Sequence, residues 1–206
     1  MIMNKKRLFT IISISTPLVI AGAILLAHHE YGLILPVDAG AVSRTLTFDK
    51  NHSSATSSAG NQFSCFWINK TDSSAFNSNN SLAYLNGHAT YDARTDSYVA
   101  TKPQFGIKCN NYKFSSITKI EITYQITEDH TDFFMYKLKD DETIDTSIGW
   151  IIEPESSSGD NTYTVSSVLS NVKGIAFCVD YNSSGWASST EYLGVKCISV
   201  KITYTC

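Results

Sequence analysis

The feature that most constrains the fold is an alternation of apolar and polar side chains with a period of two, which recurs from Arg44 onward. It is clearest in residues 117–127 and 195–204. In residues 119–124 (KIEITY) and 199–204 (SVKITY) the aliphatic side chains and the tyrosine share one parity, and the charged residue and threonine share the other. Since successive side chains of a strand point to opposite faces, this pattern is typical of strands with one buried and one solvated face.

Short runs of this kind follow one another between polar turns rich in Ser and Asn, and no window after residue 41 has a helical period. The predicted strands are 45–48, 62–68, 97–100, 104–109, 117–127, 133–138, 148–152, 163–168, 172–180 and 195–204. Many short strands separated by turn signals are typical of a sandwich or barrel. The sequence therefore predicts an all-β, antiparallel, jelly-roll-like β-sandwich over residues 42–206, preceded by an N-terminal hydrophobic helix.

The N-terminal region, residues 1–41, has the composition of an export segment. A basic cluster, residues 5–7, precedes residues 8–27, which carry no charge and are mostly apolar. About 20 helical residues just span a bilayer core of ~30 Å, and the basic flank stays inside. Two alternatives remain: a cleaved signal peptide with a small-residue site at 39–41, or a single-span membrane anchor through residues 8–27. Both predict an extracytoplasmic location for residues 42–206, either secreted or anchored.

The charge distribution excludes one class of partner. The chain has 206 residues, of which 17% are charged, with a net charge of -3. No basic patch follows residue 7. Because nucleic-acid binding depends on clustered positive charge, a nucleic-acid partner is not expected.

Two of the strands carry a resemblance to a known family. Residues 194–204 (GVKCISVKITY) resemble the last strand of galactose-binding-like jelly-roll domains, and residues 115–124 (SSITKIEITY) resemble an earlier core strand of the same architecture. Such domains are common in exported bacterial proteins and in carbohydrate-binding modules. The resemblance covers the strand layout of residues 44–206 and implies a jelly-roll fold, with glycan binding as a family tendency.

Five cysteines follow the export segment: Cys65, Cys109, Cys178, Cys197 and Cys206. Disulfides form readily in exported domains. If the last two predicted strands form a hairpin with unbroken alternation, Cys178 and Cys197 lie opposite each other on its outer face and can pair. Cys65 and Cys109 could then bridge two earlier strands, which leaves Cys206 free. The alternative is that all are small buried thiols.

An acidic cluster follows the strand that ends at residue 138. It consists of Asp140, Asp141, Glu142 and Asp145. Clustered carboxylates in a loop can bind Ca²⁺, which is the one cofactor that the sequence suggests. Three of the four residues are consecutive and the Asp-x-Asp-x-Asp-Gly pattern is absent, so a solvated turn is the favoured interpretation.

The histidines of the predicted sandwich provide no catalytic motif. His52, His88 and His130 are far apart in sequence, and each lies in a polar stretch. A catalytic base needs a nucleophile or a carboxylate within reach, and no local motif supplies one. We therefore expect a protein that is not an enzyme.

The best candidate for a binding site is a polar loop that contains aromatic residues. Residues 181–192 (YNSSGWASSTEY) place Trp186 between Tyr181 and Tyr192, with Asn182 beside the first tyrosine. Sugar rings stack on exposed aromatic faces while polar neighbours bind the hydroxyl groups. The alternative is that Trp186 folds back over the end of the sandwich. A glycan or a cell-surface protein is the expected partner.

The sequence thus predicts an exported, non-enzymatic binding domain. One alternative is a structural or assembly module of the cell envelope, whose edge strands or apolar patches pair with another protein. The other is a secreted hydrolase on a jelly-roll scaffold, which requires two carboxylates that converge in one cleft.

Overall fold

The computed structural model describes residues 42–56, 62–152, 159–182 and 190–205. Within these ranges it contains fourteen strands and no helix. The strands are β1 (Arg44–Phe48), β2 (Ser54–Thr56), β3 (Gln62–Asn69), β4 (Ala75–Phe76), β5 (Ala83–Asp92), β6 (Ser97–Thr101), β7 (Gln104–Cys109), β8 (Phe114–Ile126), β9 (Thr131–Leu138), β10 (Ile144–Ile151), β11 (Asn161–Val165), β12 (Leu169–Val172), β13 (Gly174–Tyr181) and β14 (Thr190–Thr205). In the described part of the chain, no helix is long and apolar enough to cross a membrane. The predicted N-terminal helix and Trp186 lie outside the described residues.

The strands form two antiparallel sheets, which confirms the prediction of an all-β sandwich. The large sheet has eight strands: β11-β8-β14-β5-β4 form its main path, while β1 pairs with β14, β12 with β8 and β6 with β5. The small sheet has six strands in the order β10-β9-β13-β7-β3-β2. Most neighbours within a sheet are distant in sequence, so the fold is held together by long-range pairing.

Aromatic side chains fill much of the space between the sheets. Phe63 of the small sheet contacts Phe114 and Tyr204 of the large sheet, with ring centroids 5.3 Å away in both pairs. Within the small sheet, Phe105 and Phe177 stack at 4.9 Å. All five side chains are at most 1% exposed. Aromatic pairs at such distances add to the stability that their buried area already provides.

A β-bulge in β14 changes which of its residues face the core. Between Cys197 and Ser199 the register of β14 against β8 shifts by one residue. Cys197 before the bulge and Val200 after it are both fully buried, although their positions differ by an odd number. A bulge inserts one unpaired residue and so inverts the alternation. The prediction that Cys197 lies on the outer face is therefore wrong, because it assumed that the alternation runs unbroken.

The structure also corrects the expected hairpin of Cys178 and Cys197. Cys178 lies in β13 of the small sheet and Cys197 in β14 of the large sheet, so the two strands are not paired. Cys65 and Cys109 lie on neighbouring strands, but Cys65 is opposite Ile107 and Cys109 is opposite Phe63.

The four cysteines of the described ranges are free thiols in this structure. Burial raises the pKa of the Cys65 thiol to about 12 and that of the Cys178 thiol to about 11. Burial also raises the pKa of the Cys197 thiol, and the nearby Cys65 thiol raises it further. Cys206 lies outside the described residues. These features agree with the alternative of small buried thiols.

Candidate functional site

One exposed tyrosine stands over a cleft on the outer face of the large sheet. Tyr192 of β14 is opposite His88 of β5, and His88 is opposite Thr101 of β6. Tyr192 and His88 point away from the core, because their chain neighbours Leu193 and Ala89 are fully buried. The Thr101 hydroxyl lies on the same side, 3.4 Å from Nε2 of His88. Tyr192 is 63% exposed. The antiparallel register thus places an aromatic ring, an imidazole and a hydroxyl in one row across three strands.

A loop between β3 and β4 forms the wall of this cleft and is tied to β5 through the backbone of Asn86. The Ser74 hydroxyl accepts a hydrogen bond from the Asn86 amide at 3.0 Å and donates one to the Asn86 carbonyl at 3.2 Å. The Thr71 hydroxyl also donates to that carbonyl. The loop therefore occupies a fixed position beside the row of Tyr192 and His88.

The floor of the cleft depends on a close approach at Gly87. A Cβ atom at this position would lie 2.3 Å from the Thr101 carbonyl oxygen and 2.9 Å from the Pro103 ring. Because a backbone atom cannot move aside without disturbing the strand, only glycine lets β6 lie this close to β5.

The resulting site, which we name the Tyr192 cleft, has a volume of about 390 Å³. Its lining consists of Lys70, Thr71, Asp72, Ser73, Asn86, Gly87, His88, Thr101 and Tyr192. The volume falls within the range of ~300–1,000 Å³ typical of small-ligand sites. One aromatic face surrounded by hydroxyl, amide and balanced charged groups suits a polar ligand that also has a hydrophobic face.

The structure does not bring all the predicted binding residues together. Tyr181 belongs to β13 of the small sheet, and its ring packs on Tyr98 at 4.5 Å. Burial raises the pKa of Tyr181, and the charges of Tyr98 and Glu191 raise it further. Glu191 is opposite the fully buried Ala89, so it points inward while Tyr192 points outward. Tyr181 and Tyr192 therefore lie on opposite sides of the large sheet.

Asn182 lies with Tyr181, away from the Tyr192 cleft. Its side-chain amide donates to a carboxylate oxygen of Asp132 at 2.9 Å, and its backbone amide donates to the His130 carbonyl at 2.8 Å. The two bonds attach the end of β13 to the start of β9 and to the turn that precedes it. Asn182 thus has a structural role that its position in a polar loop did not indicate.

The acidic residues after β9 are paired with nearby groups. Asp140 and Glu142 form salt bridges with Lys113 at 2.7 Å and Lys108 at 2.6 Å. Asp141 accepts hydrogen bonds from the hydroxyl and the backbone amide of Thr143, at 2.6 and 3.0 Å.

Asp145 has the same relation to Ser147, at 2.6 Å for the hydroxyl and 3.1 Å for the amide. These bonds lower the pKa of Asp141 and of Asp145. Within the described ranges, no group of three or more His, Cys, Asp or Glu side chains is arranged to hold a metal ion. Each of the four carboxylates thus has an ion-pair or hydrogen-bond partner, and the Ca²⁺ site suggested by the sequence stays a prediction.

Sequence reasoning proposed Tyr192 as a binding residue but named none of the other residues that line its cleft. The polar lining comes from a loop and two further strands. Most of these residues lie more than a hundred positions before Tyr192 in the sequence. His88 alone carried a local signal, since it alternates with the buried Gly87 and Ala89 within β5. No feature of the sequence indicated that the loop beginning at Lys70 would close over β5.

Comparisons with known proteins found one family model and several solved structures that are similar to this chain. Residues 106–174 match the model of a family described as a domain of unknown function, DUF5027. No curated protein matches the sequence.

Among solved structures, the chain is similar to a low-affinity xylan-binding module, CBM86, from Roseburia intestinalis, with a TM-score of 0.39, 9% identity, and coverage of 80% of this chain and 96% of the module. It is similar to the K1 cleaved adhesin domain of Lys-gingipain from Porphyromonas gingivalis W83, with a TM-score of 0.39, 10% identity, and coverage of 77% and 97%. It is also similar to a structure of infectious bursal disease virus, with a TM-score of 0.33, 11% identity, and coverage of 83% and 36%.

Proposed function

We propose that this protein is a non-enzymatic binding domain that acts outside the cytoplasm and recognises glycans through the Tyr192 cleft. The observation that carries the proposal is the exposed ring of Tyr192, which lies beside a polar cleft on the outer face of the large sheet. A sugar ring presents a hydrophobic C–H face that stacks on an aromatic ring, and hydroxyls around its edge that require hydrogen-bond partners. The cleft offers both kinds of contact.

The charges of the cleft support a neutral ligand. Lys70 and Asp72 contribute one positive and one negative side chain to the same lining. Hydroxyl groups of Thr71, Ser73 and Thr101 and the amide of Asn86 supply neutral donors and acceptors. A strongly charged ligand would be repelled by one of the two charged groups. A neutral saccharide can accept a hydrogen bond from Lys70 and donate one to Asp72.

We propose Trp186 as a second aromatic contact for the glycan. It precedes Tyr192 by six positions, within the segment that leads into β14. A second aromatic ring near the cleft would lengthen the stacking surface to more than one sugar unit. This role for Trp186 remains a prediction.

A glycan array followed by calorimetric titration with the saccharides that bind tests the proposal. Replacing Tyr192 by Ala should weaken binding about tenfold or more, which corresponds to ~1.4 kcal/mol. Tyr112→Ala is the matched control, because Tyr112 is 65% exposed and lies in the turn between β7 and β8, outside the cleft. Failure of every saccharide to bind the wild-type chain, or equal losses in the two variants, would refute it.

An assembly role is the second candidate, and the edge strand β10 favours it. Among the described strands, β10 pairs only with β9, and its Ile148 and Ile151 side chains are exposed. Unpaired edges with apolar side chains can add a strand from another chain. Capture of a cell-envelope protein by the wild type but not by Ile151→Lys would favour this role, whereas equal capture by both would count against it.

A further inference from the structure

A second cavity opens on the outer face of the small sheet, and it lies apart from the Tyr192 cleft. Its volume is about 320 Å³. It is lined by Ile68, Lys102, Gln104, Tyr136, Thr143, Ile144, Thr146, Cys178 and Asp180. Gln104 and Cys178 face outward into it, because their chain neighbours Phe105 and Phe177 are fully buried in the core.

Cys178 and Gln104 are held directly opposite each other on neighbouring strands. Cys178 of β13 pairs with Gln104 of β7 in the antiparallel register. The Gln104 side-chain nitrogen lies 3.4 Å from the Cys178 sulfur and donates to it. Directly opposite residues have Cβ atoms about 4.5–5.5 Å apart, so the thiol and the carboxamide are held in contact by the sheet itself. Cys178 is only 5% exposed, which leaves its sulfur little room to move away.

A carboxylate and an ammonium group accompany this pair. Lys102 and Asp180 form a salt bridge with an N–O distance of 2.5 Å, and both line the same cavity. Asp180 follows Cys178 by two positions in β13 and therefore lies on the same face. Burial raises the pKa of Cys178, the Gln104 hydrogen bond lowers it, Asp180 raises it and Lys102 lowers it, with a net value of about 11. The thiol is thus protonated at neutral pH, and the ion pair of Asp180 and Lys102 lies in the same cavity.

We propose that Cys178 and Gln104 condense to an internal thioester, and that the cavity presents this bond to a primary amine of a partner molecule. In the first step the Cys178 sulfur attacks the Gln104 side-chain carbonyl carbon. The S–C bond forms, the C–N bond breaks, and ammonia leaves with the proton that Cys178 gives up. In the second step the partner's amine attacks the same carbon. An amide bond forms, the C–S bond breaks, and a proton from the amine returns to the Cys178 sulfur.

The arrangement supplies what this chemistry needs. A carboxamide is a poor acylating group, so condensation requires the two groups to be held in contact, and intramolecular contact of this kind raises the rate greatly. Lys102 and Asp180 place a cation and a carboxylate in the same cavity, and the cation would stabilise an oxyanion that develops there. Neither step requires an oxidant or a cofactor. This inference goes beyond the reversible recognition proposed for the Tyr192 cleft, since it adds covalent attachment at a different site.

Mass spectrometry of the full chain tests the proposal. Peptide mapping of the wild-type protein should find Gln104 joined to Cys178, with a loss of about 17 Da, the mass of one ammonia. Methylamine should then add about 31 Da, located at Gln104, and should release the Cys178 thiol for alkylation. Cys178→Ala and Gln104→Glu should abolish both effects, and Cys65→Ala should retain them.

The wild-type measurement alone can overturn the proposal. If the native chain keeps the intact Gln104 amide and a free Cys178 thiol, no thioester forms. The proposal is also refuted if methylamine adds equally to the wild type and to Cys178→Ala. Thermal unfolding of each variant shows whether it is folded, and the direct detection of the joined peptides does not depend on any variant.

Discussion

Replacing Cys197 by Ser tests the β-bulge that turns this residue toward the core. Cys197 is fully buried, opposite Ala83 on one side and Tyr124 on the other, and both of these neighbours are also buried. Serine is nearly the same size as cysteine, but its hydroxyl needs a hydrogen-bond partner that this apolar environment does not offer. An unpaired buried hydroxyl costs about 1–3 kcal/mol. We expect the free energy of unfolding to fall by that amount.

Urea unfolding followed by tryptophan fluorescence measures this change, because Trp67 and Trp150 both pack against the core. For a domain of this size, 1 kcal/mol lowers Tm by roughly 2–4 °C. Cys197→Ala should cost less than Cys197→Ser, since alanine leaves no polar group unpaired. Lys201→Ser changes an exposed position on the same strand and should stay within about 0.5 kcal/mol of the wild type. If Cys197→Ser lowers the free energy of unfolding no more than Lys201→Ser does, the inference that the Cys197 side chain faces the core is wrong.

Two further predictions follow from the packing and from the ionised side chains. Gly174→Ala should destabilise by more than about 1 kcal/mol, because the new Cβ would lie 2.0 Å from the Ile107 carbonyl oxygen, and chemical denaturation measures the loss. Hydrogen bonds lower the pKa of Asp141 and Asp145 in the folded state. The two carboxylates therefore add to the free energy of unfolding above the unfolded pKa of about 3.9, and this addition is lost as the pH falls through the folded pKa. Thermal unfolding should therefore show a stability that is constant from neutral pH to about pH 5 and falls below about pH 4; a Tm that rises on acidification would contradict this reasoning.

The strands could be predicted from the sequence because their signal is local. In β8 the alternation of residues 117–127 leaves Ile120, Ile122 and Tyr124 buried, as their shared parity indicates. The inversion at Cys197 could not be predicted in this way. The inversion depends on pairing with a strand that lies about seventy residues earlier in the chain, and no residue of β14 indicates it.

The candidate site was only partly accessible from sequence. Tyr192 was proposed as a binding residue from the sequence because it is an aromatic residue in a polar stretch. Tyr181 and Asn182 were grouped with it because they are close in the chain, yet β13 and β14 belong to different sheets. Closeness in sequence therefore gave a wrong estimate of closeness in space for these residues.

The sequence by itself determined that the chain beyond residue 41 forms many short strands with one apolar face each, since burial of alternate side chains is fixed residue by residue. Only the tertiary structure decided which strands are neighbours, and therefore that His88 and Thr101 stand beside Tyr192 and that Gln104 stands opposite Cys178. The physical reason is that pairing between distant strands is set by the fit of whole sheets around a common core. That fit is a property of all the side chains together, and no single segment of the chain specifies it.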